Sequence, residues 1–86
     1  MEKKIRTVTI TVQDREKSFQ LVSAILHDLA DNILLRVGYP MPDQNISIIF
    51  IIIQLTNDEL GAFTGKLGQI ASVNVKSTSL KLKTKQ

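Results

Sequence analysis

A chain of 86 residues with 43% hydrophobic and 22% charged side chains is sized and composed for one globular domain. A domain this small buries only about 60% of the surface its unfolded chain exposes, so a partner surface would stabilise it. The absence of cysteine excludes a disulfide scaffold, thiolate zinc or iron-sulfur ligation and cysteine nucleophiles, and a net charge of +3 is too mild to mark a polyanion-binding protein.

The basic excess gathers near the ends, at Lys3, Lys4 and Arg6 and at Lys81, Lys83 and Lys85. Edge lysines of this kind discourage unwanted strand pairing. No aromatic stacking pair accompanies them in the way an RNA-binding sheet requires, so a nucleic-acid-binding module built on Lys3, Lys4, Lys81, Lys83 and Lys85 is the alternative reading and not the leading one. The opening MEKKIRTVTITV lacks the unbroken apolar core of a signal peptide, and the apolar run Ile46 to Leu55 is about half the length a membrane helix needs, so the expectation is a cytoplasmic protein with no membrane contact.

In chain order, Arg6 to Val12 is a β-branched run with Val8, Ile10 and Val12 on one face and Thr7, Thr9 and Thr11 on the other, which predicts a first strand. Asp14 offers an N-cap. Phe19, Val22, Ile25, Leu26 and Leu29 then recur at spacings of three and four, predicting a helix of about four turns that stops at Asp31-Asn32. Ile33 to Tyr39 alternates and reads as a second strand ended by Pro40 and Pro42, with Tyr39 to Asn45 as the connecting loop. Ile46 to Leu55 is the third strand. Thr56 to Glu59 has the spacing of a capping box, opening a second helix whose Leu60, Phe63, Leu67 and Ile70 face inward. Gly65 and Gly68 weaken that helix and predict close packing or a distortion there. Val73 to Lys83 alternates again as a fourth strand, and about 82–86 is a frayed basic tail.

The order β-α-β-β-α-β is the split βαβ pattern: an α+β, ferredoxin-like sandwich with a four-stranded antiparallel sheet, two helices on one face, and a single domain over 1–86. In that topology the first and third strands are central. The face away from the helices then carries either Ile46, Ile48, Phe50 and Ile52 or Ile49, Ile51, Ile53 and Leu55. A contiguous apolar face marks an interface, and the expected surface of a homo-oligomer, dimer or tetramer, is Thr7, Thr9, Leu34, Ile49, Ile51 and Ile53.

Catalytic chemistry finds no constellation. The one histidine, His27, falls off the apolar stripe and has no second histidine or cysteine with which to hold a metal, so neither metal nor cofactor is expected. GKLGQ at Gly65 to Gln69 lacks the spacing of a phosphate loop and sits inside a predicted helix. Asp14-Arg15-Glu16-Lys17 lies where the first strand meets the first helix, where free amides receive anionic groups, and Arg36 and Gly38 are expected on the open face of the second strand. Asp14, Arg15, Arg36 and Gly38 are therefore the candidate ligand residues.

VQDREKS at Val12 to Ser18, ILLRVGYP at Ile33 to Pro40, ISIIF at Ile46 to Phe50 and GKLGQIASVNVKS at Gly65 to Ser77 together resemble the small ACT-like proteins described as regulators of the iron-only hydrogenase system. The resemblance implies a non-enzymatic regulatory domain that oligomerises, responds to a small-molecule effector and acts with a hydrogenase-system protein. The broader ACT group binds amino acids at subunit interfaces near the first strand-to-helix turn, with a glycine after an Asp-Arg-Pro stretch. Here Asp14-Arg15 is followed by Glu16 and Lys17, which restrict backbone approach to such a ligand. The similar fold of nickel-responsive regulator domains carries histidine and cysteine ligands that this chain lacks.

Overall fold

The computed structural model describes residues 2–13 and 15–80, without the side chains of 15–17. Asp14, the expected cap, lies outside the described residues, as do Lys81, Leu82, Lys83 and Lys85.

Strand β1 spans Lys4–Gln13, helix α1 Arg15–Asp28, strand β2 Ile33–Met41, strand β3 Ile46–Leu55, helix α2 Asn57–Gly68 and strand β4 Val73–Ser79. Single 3₁₀ turns, Ala30–Asn32 and Pro42–Gln44, lead into β2 and out of it. The strands form one antiparallel sheet in the order β2-β3-β1-β4, the ferredoxin-like arrangement the alternation predicts. Two boundaries differ from expectation. Strand β2 runs through Pro40 to Met41, because β2 is an edge strand and its outward side needs no amide donor from proline. Strand β4 is described only as far as Ser79.

Helix α2 opens with the predicted reciprocal cap. The Thr56 amide donates to Glu59 Oε1 at 2.8 Å and the Glu59 amide to Thr56 Oγ1 at 3.1 Å, satisfying two amides that the helix cannot. Both this bond and Lys3, 3.3 Å away, favour the ionised carboxylate and hold the Glu59 pKa below its ordinary 4.5. A depressed carboxylate stabilises the fold above its unfolded pKa and loses that contribution as pH falls through the folded value. Acid titration monitored by circular dichroism should therefore show α2 weakening below about pH 4.5. Glu59→Gln should remove that component of the acid transition, and a titration unchanged by it would contradict the cap's role.

The core lies between the sheet and the helices. Val8, Ile10 and Val12 of β1 and Ile49, Ile51, Ile53 and Leu55 of β3 are fully buried against Val22, Leu26, Phe63 and Leu67 of the helices. This corrects the expected interface: Ile49, Ile51 and Ile53 lie beneath the helices and face no solvent. Alternation then sends Ile46, Ile48, Phe50 and Ile52 to the other side. Both halves of the third strand are apolar, so only the pairing register separates them.

The close packing expected at Gly65 and Gly68 is absent: a Cβ at either position would meet nothing within 4 Å. Gly65→Ala should accordingly stabilise the protein by about 0.5–1 kcal/mol in urea unfolding, the helix-propensity difference between the two residues. A loss of stability would show that an outside surface packs there.

Candidate functional site

The open face of the sheet is organised in cross-strand rows. Leu35 stands opposite Ile52, which stands opposite Thr7 and then Thr78; Val37, Phe50, Thr9 and Lys76 form the next row, and Tyr39, Ile48, Thr11 and Asn74 the third. The β2–β3 half is thus apolar and the β1–β4 half is built of hydroxyl and amide side chains. Tyr39 is 64% exposed, Val37 49%, Leu35 45% and Phe50 37%. Lys76 is the one charged residue in the paired rows. A face so poor in charge has little to hold water.

Thr7 and Thr9 lie on this face, and Leu34 does not join its rows. Ile33 pairs with Ile53 and Leu35 with Ile52, so Leu34 is the extra residue of a β-bulge, 56% exposed. One inserted residue reverses the alternation of everything after it. Leu35, Val37 and Tyr39 consequently reach the open face, while Arg36 and Gly38 pair with Ile51 and Ile49 on the helix side. The expectation that Arg36 and Gly38 stand on the open face is therefore corrected by the bulge. Both are exposed, because the helices cover β1, β3 and β4 and leave β2 projecting beyond them. A Cβ at Gly38 would meet nothing within 4 Å, so no neighbouring backbone explains the glycine.

Of the turn residues, Asp14 lies outside the described residues and the side chain of Arg15 is likewise undescribed. His27 is exposed in the last turn of α1, and among the described residues no three metal-capable side chains gather. Lys3 is committed to Glu59 across the sheet end.

Arg6 is the residue the basic-end reading misplaced. It is 3% exposed, on the same face as Val8. Its Nε and Nη2 donate to the Leu55 carbonyl at 3.3 and 3.2 Å, Nη2 also to Asn57 Oδ1 at 2.7 Å, and Nη1 to Ser79 Oγ. One guanidinium thereby joins the ends of β3 and β4 to the start of α2. The signal for it was its parity with Val8, Ile10 and Val12.

Between the helices lies a cleft of about 150 Å³, with Ile25, Leu29 and Phe63 as its apolar floor and Asp28, Glu59 and Lys66 at its rim. A second depression of about 220 Å³, bordered by Thr11, Gln13, Ser72 and Asn74, opens at one end of the β1–β4 half.

A family model described as "TM1266-like: Iron-only hydrogenase system regulator, putative" matches residues 4–77, from the first residue of β1 almost to the end of β4. The chain belongs to this TM1266-like family. The solved structure of the uncharacterized protein TM1266 from Thermotoga maritima is 49% identical, with a TM-score of 0.89 over 93% of this chain and all of that one. The ACT domain from GTP pyrophosphokinase of Chlorobium tepidum superposes with a TM-score of 0.74 at 18% identity, over 88% of this chain and 99% of that domain, which establishes an ACT-like fold. No curated protein matches. Among the described residues, no helix of this TM1266-like chain is long and apolar enough to cross a membrane.

Proposed function

We propose that this TM1266-like chain is a non-enzymatic, oligomeric regulatory domain of an iron-only hydrogenase system, cytoplasmic and responsive to a small-molecule effector. The observation that carries the reading is the open sheet face, where eight apolar side chains of β2 and β3, Leu35, Val37, Tyr39, Met41, Ile46, Ile48, Phe50 and Ile52, stand in four consecutive paired rows. Four strands about 4.8 Å apart, some nine residues long at about 3.3 Å each, make a face of roughly 19 by 30 Å. In plan that is roughly 570 Å², somewhat under the ~800 Å² of accessible surface each partner contributes to a standard interface. A second copy is the occupant of choice, since a closed two-fold pair lets the same apolar half cover itself and places the threonine half at the rim.

The family description supports the hydrogenase-system role, and the ACT-like fold supports effector sensing without a catalytic centre. The turn at Asp14 and Arg15 remains the proposed effector region, with the target a hydrogenase-system protein. An effector acts in such a module only through unequal affinity for two assembly states, so its addition should shift the association equilibrium.

Half-filtered NOE spectra of a sample mixing 13C-labelled and unlabelled copies test the interface. Contacts from the Phe50 ring of one copy to Val37 or Ile52 methyls of another are expected. Intermolecular contacts only to α1 or α2 residues would place the assembly elsewhere.

A further inference from the structure

Strand β2 ends the sheet order β2-β3-β1-β4, the helices do not reach over it, and every residue from Leu34 to Pro40 is exposed. A free strand edge offers unpaired amides and carbonyls to any extended chain. At the opposite edge β4 reads VNVKSTS and carries a lysine among polar residues, whereas β2 reads the largely apolar ILLRVGYPM.

Pro40 decides which backbone groups of β2 are free. Proline has no amide, so its pairing with Ser47 takes the position whose polar groups point away from β3. Alternation gives Gly38 and Arg36 the same position. Their amides and carbonyls face outward, while those of Leu35, Val37 and Tyr39 bond to β3. The bulge at Leu34 and the missing amide of Pro40 close this window at either end. On its helix side stand Arg36, exposed and without an ion pair among the described residues, and Gly38, where a Cβ would meet nothing within 4 Å.

We propose that the β2 edge adds a strand from another protein, an extended segment with a carboxylate opposite Arg36 and an apolar residue opposite Val37. The outward groups of Arg36 and Gly38 hold its backbone, and the guanidinium takes the carboxylate. Gly38 leaves room for whatever side chain lies opposite it. The apolar residue lengthens the open-face row of Val37 and Phe50.

A second copy's β2 fits this edge poorly. Antiparallel pairing about a two-fold sets Arg36 directly opposite its counterpart, or diagonal to it across Gly38, or opposite Pro40. The first two bring like charges together, and the third lacks a ladder bond. Strand addition at the edge leaves the open face uncovered, so it is separate from assembly through that face.

Hydrogen exchange of the free protein gives the first reading. The Arg36 and Gly38 amides should exchange at least about tenfold faster than those of Val37 and Tyr39. The capped peptide Lys-Val-Thr-Val-Glu-Val-Thr-Lys should then shift and protect both amides. Lysine in place of its glutamate should weaken binding about tenfold, and Arg36→Glu should reverse that preference. Unperturbed Arg36 and Gly38 amides at millimolar peptide would overturn the edge site. Equal binding of the two peptides, or a preference unchanged in Arg36→Glu, would overturn the charge selection. Amides already protected in the free protein and released on dilution would show a second copy on the edge and overturn the proposed partner.

Discussion

Phe50→Asp should yield a folded monomer, and Ile51→Asp, one residue further along β3, should leave no folded protein. The two side chains point to opposite sides of the sheet: Phe50 is 37% exposed on the open face, and Ile51 is completely buried against the helices. In the isolated domain a charge at position 50 still reaches water and costs about 1 kcal/mol or less. In a face-to-face assembly the same charge is buried opposite apolar side chains, which costs several kcal/mol per copy and abolishes association. At position 51 the substitution removes an isoleucine worth about 2–5 kcal/mol and installs a carboxylate with no partner. That exceeds the roughly 5 kcal/mol or more available to a small domain. Sedimentation velocity and circular dichroism on both variants read the outcome. A folded Ile51→Asp, or a Phe50→Asp of unchanged mass, would contradict the assignment of faces.

Arg6→Met should be the most damaging substitution of any charged residue described. The aliphatic stem is replaced by one of similar length, so packing is largely conserved. The four hydrogen bonds are lost, leaving the Leu55 carbonyl, Asn57 Oδ1 and Ser79 Oγ without the donor that satisfies them. Loss of charged donors to several part-buried acceptors costs about 2–4 kcal/mol. Arg6→Lys should recover less than half of this, because one ammonium cannot span acceptors on three elements as the planar fork does. Urea unfolding measures both. A loss below about 1 kcal/mol for Arg6→Met would mean that water replaces the guanidinium at the sheet end.

The fold was legible because each element carries a clean period. Val8, Ile10 and Val12 alternate with three threonines, the helical apolar residues recur every three or four positions, and Thr56 and Glu59 stand at cap spacing. The orientation of β3 was not legible, since isoleucine or phenylalanine occupies both faces and the burial pattern decides what the letters leave open. Nor was the reversal in β2. A bulge at Leu34 is set by how β2 pairs with β3, a tertiary relation, and it moves Arg36 and Gly38 away from the face the alternation assigns them. Arg6 was readable and misread, because a charged residue near a terminus looks solvated until its parity with buried valines is taken seriously. The apolar open face, proposed above to take a second copy, was therefore recognisable as a property of the sheet before the right residues on it were.

The two surfaces of this domain have separate chemistry. The open sheet face is apolar on one half, with Lys76 as its sole charge in the paired rows, and suits a copy of itself. The helix face has a cleft with an apolar floor and a rim of mixed charge, Asp28, Glu59 and Lys66.

Native mass spectrometry of the freshly purified protein, at concentrations spanning two decades, tests the covered sheet face most directly. Phe50→Asp is expected to stay monomeric throughout, and the unaltered chain to form an even-numbered oligomer that comes apart only on dilution. A monomer at every concentration would contradict self-assembly through this face and leave the apolar rows of β2 and β3 to a different protein.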